Sequence, residues 1–469
     1  MSRLIITMKF INREPELTAL EGKWLTNKPQ FFVLYGKRRV GKTELIKQFM
    51  KGKPGIYYLA DKRTIKEQLI ELSQLLGNYF NDQFLLQRPL TGWLEVFLYL
   101  KEKVTEPFVL AIDEYPYLVE TDKAMSSIFQ KGWDEYLKKT KIFLILSGSS
   151  VAMMESEALL YKSPLYGRRT GQMLLIPLSF YQSWQFFPKK SFAEFLSIYS
   201  LTGGLPAYLE QIDPSASLLE NIRNKVFPKT AFLHNEIEFI LKGELREPKN
   251  YLAILRALSL GKHKFGEIVN ATGLEKNVMH KYLSTLERLQ LIERLVSVTD
   301  KNPLKSKRPL YKVSDNFTRF WFQYIYPYKS DLEIGNHNIV ERQLKQNFNL
   351  LESLVYEQVC QEILLGLSGK IFRFEKAGKW WLREKEIDVI GVNSATREIV
   401  FGECKWSSKA VGTNVYEQLK QVSTQVDWFQ NQRREFYVLF SKSGFTDNMK
   451  KLAQEEEVFL IEQDKLIFH

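Results

Sequence analysis

The sequence has very little cysteine and no long apolar run. Its 469 residues include only two cysteines, Cys360 and Cys404, which are too few for a disulfide framework or for a zinc site built from cysteines. No stretch of about 18 or more uncharged apolar residues occurs, and the apolar stretch near the N-terminus is not followed by the cleavage site of a secretory signal. We therefore expect a cytoplasmic protein with no membrane partner.

Acidic residues are outnumbered by basic ones. Lysine and arginine number 66 against 54 aspartates and glutamates, which gives a formal charge of +12. This balance favours polyanionic partners such as DNA, through the release of counterions, although a merely basic soluble protein would show the same composition. The hydrophobic content of 45% is typical of folded domains, and the length suits about three of them.

Apolar segments alternate with segments of helical spacing over the N-terminal third of the chain. We expect buried strands at 31–35, 55–60, 108–113 and 141–150, and a helix at 64–80. Buried strands that alternate with helices indicate an α/β fold, in which a parallel sheet is covered on both faces.

The first strand runs directly into GKRRVGKT, which fits the pattern G-x-x-x-x-G-K-[ST] in full. Its residues are Gly36, Lys37, Arg38, Arg39, Val40, Gly41, Lys42 and Thr43. Glycines allow backbone N–H groups to surround phosphates, Lys42 would neutralise the outer phosphates, and the Thr43 hydroxyl would reach magnesium. The segment predicts a site for ATP with Mg²⁺.

Two acids end the strand at 108–113. We assign Asp113 to the magnesium shell and Glu114 to the general base that polarises the attacking water. The strand at 141–150 ends in hydroxyl groups, and Ser147 or Ser149 could reach the terminal phosphate or the water. Serines at a strand end also form turns, so that alternative stays open.

Arg168 and Arg169 lie in the segment SPLYGRRT, which we expect to be a loop. One of them, with Arg168 preferred, would act as an arginine finger that stabilises charge in the transition state. The finger would act in cis or from a neighbouring subunit, and the second case requires a homo-oligomer. Basic loop residues are also often only solvated.

Several short motifs occur together in this region: FINREPEL, the glycine loop, IDEYPYL, LSGSS, PLYGRR and GGLP. With them, residues 10 to about 240 resemble the archaeal-type ATPases of the AAA+/STAND P-loop superfamily. The resemblance implies that Asn12 and Arg13 lie near the adenine. It also implies that Gly204 and Pro206 belong to a helical lid close to the nucleotide.

Three short helices, a strand and a basic hairpin follow, a pattern typical of a winged helix-turn-helix. We expect the recognition helix at 275–289, with Val278, Tyr282 and Leu286 facing inward. The residues expected to face DNA are Lys276, Asn277, His280 and Lys281 on this helix and Lys305, Lys307 and Arg308 in the wing. A protein-binding adaptor of the same fold is the alternative.

A polar segment at 329–345 is expected to be a linker to the last domain. Beyond it, Glu357 lies on an expected helix, whereas Asp388, Glu403 and Lys405 lie on neighbouring strands of an expected hairpin. Two carboxylates with a main-chain carbonyl suit Mg²⁺ or Mn²⁺, and a nearby lysine can activate water, which is the chemistry of phosphodiester hydrolysis. A solvated charged hairpin would give the same short pattern.

The order of these acids, followed by the helix VYEQLKQVSTQVDWF and the strand EFYVLFSK, resembles the core of PD-(D/E)XK nucleases. More narrowly, KWWLREKEIDVIGV and FGECKW resemble the nuclease-like domain of DUF234 type that is fused to archaeal-type ATPases. The resemblance implies that Glu357, Asp388, Glu403 and Lys405 match the motif positions, with help from Gln418 or Lys420. Ile387 replaces the proline that the motif usually has before the aspartate, and Cys404 is expected in the core.

The sequence thus predicts a P-loop NTPase sheet with a helical lid, a winged helix-turn-helix and a small α/β restriction-endonuclease-like domain. The expected domain limits are 1–177, 178–245, 246–328 and 329–469. We expect an ATP-hydrolysing, DNA-associated protein with Mg²⁺-dependent DNA cleavage. The alternative is a STAND-like switch whose C-terminal domain binds DNA or a protein partner without cutting it. A translocase has less support, because no pore-loop signature is evident.

Overall fold

The structure is a computed structural model that describes residues 10–245, 247–306 and 308–468. The chain divides into two compact units. The first contains the described residues up to Leu178 together with Leu205–Ala207, and the second contains Ser179–Gly204 and the chain from Tyr208 onward. Within the described residues, every helix is too short or too polar to traverse a lipid bilayer.

The first unit is built on a five-stranded sheet in which every pair of neighbouring strands is parallel. Its strands are β1 (Gln30–Tyr35), β2 (Gly55–Leu59), β3 (Phe108–Asp113), β4 (Ile142–Gly148) and β5 (Gly171–Leu174). The order β2-β3-β4-β1-β5 confirms the predicted parallel sheet. Strand β5 was not predicted, and β2 is half-buried rather than buried because it lies at the sheet edge.

Helices surround this sheet, as the alternating pattern predicts. They are α1 (Glu14–Trp24), α2 (Lys42–Met50), α3 (Ile65–Phe80), α4 (Gln83–Gln87), α5 (Trp93–Lys103), α6 (Pro116–Thr121), α7 (Met125–Glu135) and α8 (Val151–Met154). Helix α3 begins at a capping box in which Thr64 and Glu67 satisfy each other's backbone N–H groups. Buried apolar side chains of β1 to β4 and of α3 to α8 form one continuous core.

The second unit begins with helices in the region predicted as a lid and continues with the winged helix-turn-helix. The lid-region helices are α9 (Phe180–Trp184), α10 (Phe192–Thr202), α11 (Pro206–Leu209), α12 (Leu218–Lys225) and α13 (Glu236–Glu244). The first two residues of α11 belong to the first unit. The winged helix-turn-helix consists of α14 (Lys249–Ser259), α15 (Phe265–Thr272), α16 (Lys276–Arg288), β6 (Ile292–Leu295) and β7 (Leu310–Val313). Gly273 ends α15 with a φ of 68°, which makes the tight turn before the recognition helix α16.

The inward face of α16 differs from the prediction. Met279, Leu283 and Leu286 are buried, whereas Val278 is 38% exposed and Tyr282 is half-buried. The buried residues are spaced at i, i+4 and i+7, as expected for one face of a helix. The predicted inward face began at Val278, one residue before the buried Met279, and the prediction for Val278 was wrong.

The C-terminal part joins five helices to a six-stranded mixed sheet of order β13-β12-β11-β10-β9-β8. Its helices are α17 (Asn316–Phe320), α18 (Lys329–Glu333), α19 (Asn338–Gly366), α20 (Thr413–Ser423) and α21 (Asp447–Glu456). Its strands are β8 (Lys376–Leu382), β9 (Lys385–Asn393), β10 (Glu398–Lys405), β11 (Arg434–Ser441), β12 (Phe459–Glu462) and β13 (Lys465–Phe468). The predicted linker at 329–345 is wrong, because α18 and the first two turns of α19 occupy it.

Candidate functional site

The glycine loop joins β1 to α2 at the carboxyl edge of the parallel sheet. A Cβ atom on Gly36 would lie 2.3 Å from the carbonyl oxygen of Leu175, so only glycine fits there. Gly41 has a φ of 95° and immediately precedes Lys42, the first residue of α2. The loop therefore delivers the chain to a helix N-terminus, where free N–H groups and the helix dipole favour phosphate.

Two charged side chains at the loop, those of Lys42 and Asp113, have neutral groups among their partners. The buried ammonium of Lys42 donates to the carbonyl oxygens of Gly36 at 2.8 Å and Lys37 at 3.1 Å. The Thr43 hydroxyl donates to Oδ2 of Asp113 at 2.6 Å. Phosphate oxygens and a cation can replace these partners, because charge-assisted bonds are stronger than neutral ones. The residues therefore fit a nucleotide that is bound with Mg²⁺.

Tyr57 belongs to this group, although sequence reasoning assigned it no role. Its hydroxyl donates to the same Oδ2 of Asp113 at 2.8 Å. Burial, and then the charge of Asp113, raises the pKa of Tyr57, so the hydroxyl remains a donor. The contact arises because β2 is the neighbour of β3, and strand order is not visible in the local sequence.

Glu114 is held by a serine from the next strand. It adopts a left-handed backbone conformation with a φ of 55°, which is uncommon for a residue with a side chain. Its Oε2 accepts bonds from the Ser149 hydroxyl at 2.9 Å and the Ser149 N–H at 3.2 Å. Ser147 is buried, and its hydroxyl has no hydrogen-bond partner among the described residues. Of the two predicted serines, Ser149 is thus the one that orients Glu114.

The segment before α1 is fastened to the glycine loop. The guanidinium of Arg13 donates to the carbonyl oxygens of Val40 at 3.1 Å and Ile176 at 2.8 Å, and it pairs with Glu16 at 2.8 Å. Beside it, Nδ2 of Asn12 is buried and has no hydrogen-bond partner in the described part of the chain. Arg13 therefore supports the loop, while Asn12 offers a donor to a ligand.

Pro206 lies beside the same loop. Its Cγ would be 3.8 Å from a Cβ atom on Gly41, and Leu205–Ala207 belong to the first unit. Gly204, the other residue implied by the resemblance, belongs to the second unit. The proximity of Pro206 to the loop agrees with the implied position near the nucleotide.

The two candidate arginine fingers have intramolecular partners. Arg168 forms an ion pair with Asp134, with nitrogen-to-oxygen distances of 3.2 and 3.3 Å. Arg169 donates to the carbonyl oxygens of Ala158 and Leu159 at 3.3 and 3.2 Å. The role of Arg168 as a finger therefore requires release from Asp134 and stays a prediction.

The recognition helix presents its predicted polar face to solvent. Lys276, Asn277, His280 and Lys281 are all exposed on α16. The His280 ring stacks on Phe265, with ring centroids 4.4 Å apart. In the wing Lys305 and Arg308 are exposed, whereas Lys307 lies outside the described residues.

A second cluster of charged residues lies where β9 and β10 separate. Their antiparallel pairing ends at Val389 and Gly402. Beyond this pair, the Cys404 N–H donates to Oδ2 of Asp388 at 3.0 Å. Lys405 and Glu403 share one face, with 2.6 Å between Nζ and Oε1, while Cys404 is buried.

Lys379 on β8 lies among these acids, and sequence reasoning missed it. Its Nζ is 2.6 Å from Oε2 of Glu357, 3.8 Å from Oδ1 of Asp388 and 4.0 Å from Oε2 of Glu386. The lysine belongs to a strand that precedes both motif strands, so only the sheet register brings it to the site.

Burial dominates the electrostatics of the cluster. It raises the pKa of Glu357, of Asp388 and of Glu403, and for Glu357 the value is about 7 although Lys379 acts against the change. Burial acts to lower the pKa of Lys379, but Glu357 and Asp388 outweigh it and the pKa is raised. A positive charge among the buried acids is therefore stabilising, and the ammonium of Lys379 is such a charge.

The predicted metal cage is not assembled in this arrangement. Among the described residues, no three or more histidine, cysteine, aspartate or glutamate side chains are grouped to hold a metal ion. Glu357 is directed to Lys379, which leaves Asp388 and Glu403 of the three predicted oxygen ligands. The three-carboxylate set therefore does not fit a metal while Lys379 remains in place.

The predicted helpers on α20 lie at its surface. Gln418 is exposed, and Lys420 pairs with Glu456 of α21. Ile387, at the usual proline position, is fully buried opposite Trp380. An assisting role for Gln418 or Lys420 stays a prediction.

Comparison with known proteins agrees with this architecture. A family model described as an ATPase domain predominantly from Archaea matches residues 10–212, an IclR helix-turn-helix model matches 249–295, and a model of archaeal and bacterial proteins of unknown function, DUF234, matches 321–420. The chain is 36% identical over 405 residues to the uncharacterised protein MJECL04 of Methanocaldococcus jannaschii, covering 85% of this chain and 87% of that one.

Two further similarities are narrower. The uncharacterised ATP-binding protein MJ0423 of Methanocaldococcus jannaschii is 57% identical over 44 residues, which are 9% of this chain and 75% of that protein. The solved structure of a Walker-type ATPase of Pyrococcus abyssi covers 67% of this chain and 96% of its own, with 24% identity and a TM-score of 0.50. The latter match shows a shared fold.

The parallel sheet, the glycine loop and the paired acids of β3 define a P-loop ATPase domain. The similarity to MJECL04 over 85% of this chain, together with the match to the archaeal ATPase model, shows the family. The chain belongs to the archaeal-type ATPase family, and it carries a helix-turn-helix of IclR type and a DUF234 domain.

Tyr57→Phe removes one of the two hydroxyl donors to Oδ2 of Asp113. We expect the Kd for Mg·ATP to rise about tenfold or more, because changing a residue that orients a ligating group typically costs about 10- to 100-fold in metal affinity. Tyr58→Phe is the matched control, since Tyr58 is the next residue of β2 and bonds to Gln68 instead. Isothermal titration calorimetry measures both variants, and an unchanged Kd for Tyr57→Phe would exclude a positioning role.

Proposed function

We propose that the protein binds and hydrolyses ATP, contacts DNA through its winged helix, and carries a nuclease-type site in its C-terminal domain. The observation that carries the ATPase proposal is the bond between Ser149 and Glu114 beside the Thr43–Asp113 pair. A loop that only binds nucleotide does not need a second, oriented carboxylate next to the first. ATP hydrolysis does, because water must be positioned and deprotonated.

Residues of the loop and of the neighbouring strand ends take part in this reaction. Lys42 exchanges the carbonyl oxygens of its own loop for phosphate oxygens, and Thr43 and Asp113 would hold Mg²⁺. The metal, when bound, neutralises charge on the phosphates. Glu114, oriented by Ser149, accepts a proton from the water that attacks the terminal phosphate.

Glu114→Gln is expected to lower the kcat of ATP hydrolysis by about 10²- to 10⁴-fold, the usual contribution of a general base, with ATP binding retained. Lys42→Ala is expected to weaken binding itself. Ser149→Ala should lower kcat by about tenfold, whereas Ser150→Ala, whose side chain makes no capping bond to α8, should not. Steady-state phosphate release measures all four variants. Unchanged turnover in Glu114→Gln would show that another group is the base.

The DNA proposal is supported by the exposed face of α16. Its N-terminal turns carry Lys276, Asn277 and Lys281 in solvent, and the N-terminal part of a recognition helix is the part that reaches base edges in a major groove. Lys305 and Arg308 of the wing suit phosphate contacts, which position a protein without reading sequence. The excess of positive charge over the whole chain agrees with a polyanionic partner.

Replacing Lys276 and Lys281 with alanine should weaken binding to duplex DNA of any sequence. We expect the slope of log K against log salt to fall by about one for each phosphate that the variant no longer neutralises. Replacing Lys123 and Lys131 with alanine removes an equal charge from exposed positions of the ATPase domain and should leave both quantities unchanged. Fluorescence anisotropy at several salt concentrations measures them. Equal losses in Lys123→Ala/Lys131→Ala would mean that only net charge matters and that α16 is not the interface.

A nuclease-type site is the second candidate function. The supporting observation is that Asp388, Glu403 and Lys405 converge where β9 and β10 part, all of them at least half-buried and in electrostatic contact. Buried acids beside a lysine are costly to maintain unless they serve a purpose. Oxygen ligands with an adjacent ammonium suit metal-assisted attack of water on a phosphodiester.

Linear or plasmid DNA incubated with the protein and Mg²⁺ or Mn²⁺ tests this proposal. Asp388→Ala should abolish cutting, whereas Asp447→Ala, at a side chain that is 91% exposed, should leave it intact. Gel analysis over time gives the rates. Cutting that survives Asp388→Ala would place the activity elsewhere, and no cutting by any form would favour a switch that binds DNA or a partner without cleaving it.

A further inference from the structure

A β-bulge places Lys379 in the acid cluster. Gly378 pairs with Ile390 and Trp380 pairs with Ile387, so the single residue Lys379 lies opposite two residues of β9, Asp388 and Val389. Bulges of this kind redirect side chains and are frequent beside active sites. Here the bulge coincides with the central acid of the predicted motif.

The backbone of Lys379 is bonded to the winged helix. Its carbonyl oxygen accepts the N–H of Val298 at 2.9 Å. Val298 follows β6 at the start of the wing, and its side chain is buried in the apolar core of the C-terminal sheet. A backbone hydrogen bond therefore joins the start of the wing to Lys379, whose side chain lies among the acids.

Two more bonds attach the winged helix to the same hairpin. The indole N–H of Trp381 donates to the carbonyl oxygen of Arg308 at 3.2 Å, and Lys264 pairs with Glu384 at 3.1 Å. Arg308 is thus bound to β8 through its backbone, while its side chain is exposed. A force on the wing would be transmitted to β8 next to Lys379.

We propose that Lys379 is a built-in counter-ion that closes the C-terminal site to divalent cations, and that the wing sets its position. The ammonium lies 2.6 Å from Glu357 and 3.8 Å from Asp388, so it neutralises the charge that would attract a metal and repels the metal itself. Duplex DNA that engages Lys305 and Arg308 draws the wing from β8, frees the backbone of Lys379 and opens the site. This regulation rests on the proposed nuclease-type site.

The closure of the site by Lys379 is tested by measuring Mn²⁺ binding to the nucleotide-free full chain. The loss of the EPR signal of free Mn²⁺ reports the binding. Lys379→Met should bind Mn²⁺ about tenfold more tightly than the wild type or better, because it removes a positive charge at contact distance. Lys376→Met is the matched control, at an exposed lysine of the same strand, and should behave as the wild type. Adding Asp388→Asn to Lys379→Met should abolish the gain.

The variant Lys379→Met leaves Glu357 buried without its partner, which destabilises a fold. The double variant Glu357→Gln/Lys379→Met removes both charges and keeps Asp388 and Glu403, so it should fold and still bind Mn²⁺ more tightly than the wild type. If this variant and Lys379→Met gain no affinity, or if the wild type already binds as tightly as they do, Lys379 does not close the site.

Hydrogen exchange of the Val298 amide, measured by mass spectrometry without metal, tests the second half. Saturating duplex DNA should accelerate this exchange in the wild type and leave it unchanged in Lys305→Ala/Arg308→Ala. Unchanged or slower exchange on bound DNA would overturn control by the wing. If Lys379→Met binds Mn²⁺ more tightly but no form cuts DNA, only the nuclease proposal is refuted. If the wild type and Lys379→Met cut DNA at the same rate, only the closure of the site by Lys379 is refuted.

Discussion

A buried charge is costly unless a partner offsets it, and this constraint shapes both candidate sites. In the ATPase domain, Lys42 is bonded to carbonyl oxygens and Asp113 to the hydroxyl groups of Thr43 and Tyr57. Bonds to these neutral partners are weaker than bonds to a phosphate or a divalent cation, which can replace them. In the C-terminal cluster Glu357 is bonded to a full positive charge, that of Lys379. The two sites thus differ in that Asp113 accepts from neutral hydroxyl groups, whereas Glu357 is paired with a charged group of the chain itself.

Helix α19 connects the lid region to the C-terminal sheet. Glu352 is nearly buried and accepts bonds from Ser197 of α10 and from the indole of Trp406, which follows Lys405. One helical turn from it, Tyr356 contacts the Trp406 ring, with centroids 4.7 Å apart. Replacing either partner of such a bond leaves a buried polar group unsatisfied, which costs about 1–3 kcal/mol. The lid-region helices and the acid cluster thus share one packed and hydrogen-bonded framework, which explains why they fall in one compact unit.

Periodicity and motif spacing predicted the sheet of the ATPase domain, the winged helix and the hairpin that carries Asp388 and Glu403. These features can be predicted because hydrophobic periodicity and the glycine-loop motif are patterns of residues that are close together in the sequence. Two site residues were missed because their positions depend on contacts between strands rather than on local pattern. Tyr57 and Lys379 reach their acids only through the order and register of neighbouring strands, which no local pattern encodes. The polar residues at 329–345 form helices because apolar positions such as Val340 and Leu344 are buried on one face, and a short sparse stripe is easily read as a linker.

The chain passes between the two compact units at the GGLP element. Leu205–Ala207 belong to the ATPase unit, with Pro206 beside Gly41, but the chain on both sides belongs to the second unit. Helix α10 ends just before Gly203, whose φ of 62° suits glycine, and α10 carries the Ser197 that bonds to α19. Only a few covalent bonds separate Pro206 from the end of α10, and Ser197 of α10 is bonded to Glu352 of α19, the helix that also carries Glu357. The main chain thus connects the segment beside the glycine loop to the framework that holds the Glu357–Lys379 pair.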